Sequence, residues 1–331
     1  MSIAKVSLAD DLSICRVLNG MWQVSGSHGQ INPESAILDM LEYHKTGFTT
    51  WDLADIYGPA ESFVGDFRKR LPTKELENSQ SLTKFVPNPG PMTKSIVEYY
   101  VDQSLKKMNT DSLDLIQFHW WDYNNPSYLD ALNHLSKICD EGKIKHLGLT
   151  NFDTQRIKIM IDKGIKLVSN QIQYSILDQR AEKLMVPFCQ KHCISLLAYG
   201  TLLGGFLSEK YLDSPEPHRS DLTTASLQKY YGMINAWGGW ELFQQLLLVL
   251  SKISKKHDSS ISNVAAKFIL DKRAVAGIII GARLGISEHR EDNLHVFDLN
   301  LDSEDLTLIN SVTKKSNNLF DRIGDCGDEY R

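Results

Sequence analysis

Asp52 and Tyr57 lie five residues apart in Thr50-Trp51-Asp52-Leu53-Ala54-Asp55-Ile56-Tyr57-Gly58, where a short apolar run gives way to a glycine-containing loop. A carboxylate at the end of a buried strand with a phenol just beyond it is suited to proton transfer, the phenol being the donor. A free phenol, with a pKa near ~10, is a feeble acid at neutral pH and needs help from a cation. Lys84 and His119 stand at the ends of two further apolar runs, Ser81–Phe85 and Leu113–Phe118. Lys84 within hydrogen-bond reach would lower the pKa of Tyr57, each unit being worth about 1.4 kcal/mol of differential interaction. Asp52 would hold and charge-balance the lysine, and a neutral His119 would donate a hydrogen bond that orients a carbonyl oxygen. Such a group protonates an oxygen as negative charge develops on it. The matching attack on carbon must come from elsewhere, and a reduced nicotinamide would supply a hydride.

Bringing these side chains together requires a scaffold that collects strand ends. Strands are expected at Ile14–Trp22, Thr49–Trp51, Ser81–Phe85, Leu113–Phe118, Lys145–Leu149, Leu167–Gln171, Ser195–Tyr199 and Ala276–Ile280. Helical periodicity falls between them, near 33–46, 60–71, 93–108, 127–141, 154–163 and 180–192, over a long region 226–270, and at 287–296. Strands alternating with helices in this way predict a (β/α)8 TIM barrel, which uses roughly 250 residues plus insertions. Asn32-Pro33-Glu34 reads as a helix cap followed by proline at the first helical position, and Gly47 and Gly142 as helix stops. The segment from Gly200 to about Ser226 is a long loop after the seventh strand, of the kind that forms a lid or is mobile. A last helix near 302–315 and a polar tail from Gly324 to Arg331 complete the chain. The tail either folds back toward the barrel mouth or forms a solvated end.

In such barrels the site lies at the carboxyl ends of the strands. Alternation puts Phe48, Thr50 and Asp52 on one face of the second strand and Trp51 on the other. It also groups Leu82 with Lys84, and Leu115 with Gln117 and His119. Ionisable groups pointing inward on successive strands are costly to bury unpaired, so they should pair with one another. Asp55 is out of phase with Asp52 and reads as structural or solvent-facing.

Bulk composition narrows the partners. The 331 residues carry 36 basic and 41 acidic side chains, a net charge of −5 that argues against nucleic acid as a main partner. No linker marks a boundary, so residues 1–331 read as one domain. The N-terminus lacks a signal core, and Leu242 to Leu250 is too short to span a bilayer, so no membrane partner is expected and a cytoplasmic location is. The five cysteines include Cys189 and Cys193 one helical turn apart around His192; a metal site there would need further ligands, and buried reduced thiols are the simpler reading.

The ordered set of motifs resembles the aldo-keto reductase family over almost the whole chain. Gly20-Met21-Trp22-Gln23 is similar to its first-strand glycine motif, Asp52 through Tyr57 to its Asp-x-x-x-x-Tyr, Lys84 to its third-strand lysine and His119 to its fourth-strand histidine. Thr150-Asn151-Phe152 resembles the Ser-Asn-Phe that binds the nicotinamide carboxamide, Asn170-Gln171 the Asn-Gln that joins it, and Tyr199 the aromatic residue stacked on the nicotinamide. Gly281-Ala282-Arg283 with Glu288 and Asn293 resembles the pyrophosphate and adenosine-ribose segment.

The resemblance implies that Tyr57 protonates a carbonyl oxygen as NAD(P)H delivers hydride, without metal, and that the cofactor lies extended across the barrel mouth. Gly20, Trp22, Asp52, Gly200, Leu202 and Gly204 would also line it, with Gly204-Gly205-Phe206-Leu207 approaching the pyrophosphate through backbone N–H groups. Arg283 favours NADPH (NADP+) over NADH because a guanidinium suits a phosphate dianion, although His289 stands where many NADPH-preferring members keep an arginine. Trp22, Tyr57, His119 and Trp120 would line the substrate; Trp120-Trp121 either simply caps the barrel or puts Trp120 against the substrate, favouring apolar or aromatic carbonyl compounds. Trp237-Gly238-Gly239-Trp240 reads as packing at a helix boundary. The expected activity is reduction of an aldehyde or ketone by a monomer or weak homo-oligomer. The rival is a cofactor-binding, redox-sensing regulatory subunit with little turnover.

Overall fold

The computed structural model describes residues 3–26, 29 and 31–330. The chain opens with an antiparallel hairpin, β1 (Lys5–Ala9) and β2 (Leu12–Cys15), in which Lys5 lies opposite Cys15. Eight parallel strands then close into a barrel. They are β3 (Val17–Gly20), β4 (Thr50–Asp52), β5 (Gln80–Phe85), β6 (Leu113–Phe118), β7 (Ile144–Thr150), β8 (Ser169–Gln173), β9 (Ser195–Tyr199) and β10 (Val275–Gly281), with β10 paired to β3. Helices alternate with them, which makes the fold a (β/α)8 barrel.

The expected first strand, Ile14–Trp22, divides into two. At the division Arg16 N–H donates to Ala4 O in the hairpin while Arg16 O accepts from Ile278 in β10. Sequence alternation cannot register this change of partner, because both halves are apolar and extended. Leu12 and Ile14 of the hairpin join Leu18, Leu82, Leu115, Leu197 and Ala276 in one small cluster that fills the barrel interior. A much larger cluster lies between strands and helices and contains Trp51, Phe85 and Phe118. Phe48 belongs to that outer cluster, not to the face of Asp52 as alternation suggested, because the strand begins only at Thr50.

The helix ends follow local chemistry. Asn32 accepts the Ser35 N–H at 3.0 Å, with Pro33 at the first helical position of Pro33–Lys45. The long region 226–270 resolves into helices Ala225–Trp237, Gly239–Lys256 and Ile261–Leu270. The first break falls at Gly238-Gly239, where Gly239 takes a φ of 83° that a side-chain-bearing residue resists. Just past it, Trp240 donates to Ser214 O at 3.1 Å and packs on Phe206, so the long loop after β9 is fastened to this helix. Residues 180–192 likewise split into a short turn, Arg180–Glu182, and a helix, Met185–His192. Among the described residues no helix is long and apolar enough to cross a membrane.

Candidate active site

Alternation along β4, β5 and β6 brings Asp52, Lys84 and Gln117 into the barrel at its carboxyl end. Lys84 Nζ donates to Asp52 Oδ2 at 2.7 Å and to Leu53 O at 3.0 Å. Asp52 Oδ1 accepts from the side-chain amides of Gln117 (3.0 Å) and Gln171 (2.6 Å), and Gln171 also donates to Gln117 Oε1 at 2.7 Å. A carboxylate this deep survives as an anion only with its lone pairs met, and three donors do so here. Gln117 was grouped by alternation with His119 but not read as part of the site. Its signal was an amide in phase with the inward face. Gln171, expected at the nicotinamide, turns its amide N–H groups toward Asp52 and Gln117.

Tyr57 sits in the loop after β4 with its ring 5.0 Å from Lys84 Nζ and 5.0 Å from the Trp22 ring. The expected lowering of its pKa is not what the surroundings produce. Burial, then the charge of Asp52, push the phenol well above its ordinary value. Burial also pulls the Lys84 ammonium below the usual lysine range, against the opposing pull of Asp52. The phenol therefore holds its proton firmly.

Asp55 is not solvent-facing: its Oδ2 accepts the Val86 N–H at 3.2 Å, its Oδ1 is buried with no hydrogen-bond partner among the described residues, and burial raises its carboxyl to about 7.

His119 continues the inward phase of β6. Its Nδ1 is 3.1 Å from Thr150 O, which can only accept, so Nδ1 carries the proton. In a neutral ring Nε2 is then an acceptor, and His119 donates from that edge only as the imidazolium. This corrects the expected neutral donor. The next residue in phase is Trp121, whose ring lies 4.3 Å from that of His119. Trp120 points the other way. It is fully buried against Phe118 and its Nε1 donates to Asp122 O and Asn125 O, so the indole expected to wall the substrate packs outside the barrel. The signal for choosing Trp121 was the same alternation that selected His119.

At the end of β7, Thr150 donates to Gln171 O at 3.3 Å, and Asn151 adopts a φ of 59°. Asn151 Oδ1 accepts from Tyr199 Oη at 2.8 Å, which joins the ends of β7 and β9. The tail does fold back over the mouth. Buried Arg180, paired with Asp178 at 2.8 Å, binds Glu329 at 3.0 Å and Asp325 O at 3.1 Å, while Asp325 Oδ2 accepts the Thr154 N–H at 2.8 Å. This sets the Tyr330 hydroxyl 2.9 Å from that of Tyr199, with its ring 6.0 Å from His119.

The loop after β9 departs from expectation. The amides of Gly205, Phe206 and Leu207 donate to Leu202 or Leu203 carbonyls within a tight turn, so they are not turned toward a phosphate. Gly200 and Gly204 are required by the neighbouring Tyr230 side chain, since a Cβ would come within 2.5 Å of its hydroxyl at Gly200 and 3.0 Å of its ring at Gly204. Gly20 and Gly281 sit side by side on β3 and β10. Gly281 is pressed against the Gln23 amide, 2.2 Å from where a Cβ would stand. Beyond β10, Arg283 and His289 are exposed and Asn293 is buried in the helix Arg290–Asp298.

A closed parallel barrel with a buried acid–lysine pair at the carboxyl ends of neighbouring strands defines an α/β-barrel protein with the site at its mouth. The aldo/keto reductase family model matches residues 16–314, and the chain belongs to that family of oxidoreductases. It is 28% identical over 257 residues to flagellar radial spoke protein 5 of Chlamydomonas reinhardtii, an alignment covering 66% of this chain and 49% of the spoke protein. It is 23% identical to the NADH-specific methylglyoxal reductase of Escherichia coli, covering 92% and 96% of the two chains. With the chloroplastic pyridoxal reductase of Arabidopsis thaliana it shares 27% identity over 82% of this chain and 74% of the relative. A thermostable aldo-keto reductase solved with the inhibitor epalrestat superposes with a TM-score of 0.73 at 23% identity, over 94% of this chain and all of that one.

Proposed function

We propose that the chain reduces an aldehyde or ketone to its alcohol with NADPH, Tyr57 delivering the proton to the substrate oxygen. The observation that carries this reading is the buried Asp52–Lys84 pair with the Tyr57 ring 5.0 Å from the ammonium. Relatives named for reducing methylglyoxal and pyridoxal, both aldehydes, support the substrate class.

The residues at the mouth fit a nicotinamide dinucleotide. Thr150, Asn151 and Gln171 would meet the carboxamide, and Tyr199 the ring. Gly20, Trp22, Gly200, Leu202 and Gly204 would line its course, and Gly281, Arg283, His289 and Asn293 its adenosine end. The fit is supported by charge: Arg290 takes Glu288 at 2.9 Å, and among the described residues no carboxylate pairs with the exposed Arg283. A guanidinium so placed suits a phosphate dianion. When bound, the reduced cofactor supplies hydride for the carbonyl carbon.

The chain's own residues handle the oxygen. As negative charge builds on it, the Tyr57 O–H bond breaks and the alcohol O–H forms. Burial keeps the proton on Tyr57 until that strongly basic oxygen is beside it. The Lys84 ammonium, immobilised by Asp52 and Leu53 O, then stabilises the tyrosinate, an effect strengthened by the low-dielectric surroundings. His119, tethered through Nδ1 to Thr150 O, would hold its Nε2 edge toward the substrate oxygen. Trp121, 38% exposed with its ring 4.3 Å from that of His119, suits apolar or aromatic carbonyl compounds. The unpaired thiols suit a reducing, cytoplasmic setting.

The test is turnover of a panel of aldehydes and ketones with NADPH and NADH, for the wild type and Tyr57→Phe. Loss of a positioned general acid should lower turnover by roughly 10²–10⁴-fold with cofactor affinity nearly unchanged. Retained turnover in the variant overturns the role of Tyr57. Tight cofactor binding by a wild type that turns nothing over favours the regulatory-subunit reading.

A further inference from the structure

Strand β4 ends at Asp52, and Tyr57 lies in the turn beyond it, so the ladder with β5 does not itself reach the proton donor. Two backbone bonds carry the pairing on. Leu53 N–H donates to Leu82 O and Asp55 N–H donates to Lys84 O, both at 3.1 Å. The chain then turns, closed by Tyr57 N–H donating to Ala54 O at 3.1 Å, with Asp55 and Ile56 as the central residues.

In the strand register Asp52 faces Leu82, so Val86 would face Ile56, but Ile56 already lies in the turn. A buried N–H must find an acceptor, and the Val86 N–H takes the Asp55 carboxyl, donating to Oδ2 at 3.2 Å. Asp55 thus grips β5 at the two peptide groups that flank Phe85, one through its backbone and one through its side chain. Lys84 projects from the same gripped strand end, and its ammonium reaches back to Leu53 O at 3.0 Å. The Tyr57 ring and Lys84 Nζ, 5.0 Å apart, are therefore mounted on the two sides of one clamp. Burial holds the carboxyl at about 7, so below that value it is uncharged and an asparagine copies both its shape and its acceptor.

We propose that Asp55 is a positioning residue for proton delivery: its side chain fastens the turn that carries Tyr57 to the strand that carries Lys84, and so fixes the phenol against the ammonium. The proposal rests on the reading of Tyr57 as the proton donor. It gives a task to the one acid between Thr50 and Gly58 that the proton transfer itself does not use. Without the carboxyl the turn keeps only backbone bonds to β5, and a displacement of about 1 Å at a reacting group can cost roughly 10²-fold in rate.

The experiment is steady-state reduction of an aldehyde that the wild type accepts, on the acid side of the Asp55 value of about 7, by Asp55→Ala, Asp55→Leu and Asp55→Asn, alone and combined with Tyr57→Phe. Ala and Leu remove the acceptor and should lower kcat roughly ten- to hundredfold, with KM and the cofactor dissociation constant, read by quenching of tryptophan fluorescence, nearly unchanged. Proton transfer then limits turnover, so the solvent deuterium isotope effect on kcat should rise in both. Asn keeps an acceptor for Val86 and should restore kcat to within about threefold of the wild type. In the Tyr57→Phe background Ala and Leu should cost little further, because the clamp acts only through the phenol. Wild-type kcat in Ala and Leu overturns the proposal. So does a loss in Asn as large as in Ala, or a full further loss in the Tyr57→Phe background, either of which marks a general loosening of the fold. Retained turnover in Tyr57→Phe alone is a separate result: it defeats the proton-donor reading, and the proposal falls with it. Melting temperatures report whether each variant is folded, and Leu, which fills the space of the carboxyl, carries the comparison if Ala is not.

Discussion

Lys84 Nζ and Asp52 Oδ2 are 2.7 Å apart, and each side chain is only 4% exposed. Removing one member strands the other in a low-dielectric interior, which typically costs about 3–5 kcal/mol. Lys84→Met and Asp52→Leu should each lower stability by that amount in urea unfolding. The double variant should lose less than the sum, because neither charge is then left alone. An additive double variant would mean that the two groups do not act as a pair.

Trp120 and Trp121 differ in what they touch. Trp120→Ala empties a fully buried site and should destabilise the fold by about 3–5 kcal/mol. Trp121→Ala, at 38% exposure beside His119, should leave stability nearly unchanged and raise KM for aromatic aldehydes. Steady-state kinetics beside thermal unfolding separates the two, and a stability loss confined to Trp121→Ala would reverse the assignment.

Asp55 should make stability depend on pH. Folded, its carboxyl holds a proton up to about 7, whereas in the unfolded chain it ionises near ~4. Between those values unfolding releases a proton, so stability falls as pH rises, by up to roughly 1.4 kcal/mol per pH unit. Asp55→Asn should flatten this slope in denaturation series from pH 4 to 8 (about the window just given). An unchanged slope would place the titration elsewhere.

Arg283→Ala should weaken NADPH by roughly tenfold or more while changing NADH little, as expected for loss of a charge-assisted contact to a phosphate. Parallel titrations with both cofactors measure this. Equal losses would show that Arg283 does not read the 2′-phosphate.

The barrel was legible because its evidence is local. β6 and β9 begin and end where the apolar runs do, at Leu113–Phe118 and Ser195–Tyr199. The hairpin β1–β2 was not legible: Lys5–Ala9 is only five residues long and nowhere fully buried, and its pairing with Leu12–Cys15 makes it a strand. The inward phase that picked out Lys84 and His119 also contained Gln117 and Trp121, so those two were readable and were passed over.

Period-two alternation and strand ends thus sufficed to place Asp52, Lys84 and His119 at the carboxyl ends of their strands, since each follows from a few neighbouring residues. Which donor meets which acceptor was decided only by closure of the barrel and return of the tail. Asp52 takes Gln171 from 119 positions away, and Tyr199 takes Tyr330 from 131. No local pattern encodes such pairings. They arise because a buried polar group must find a partner, and the folded chain determines which partners are within reach.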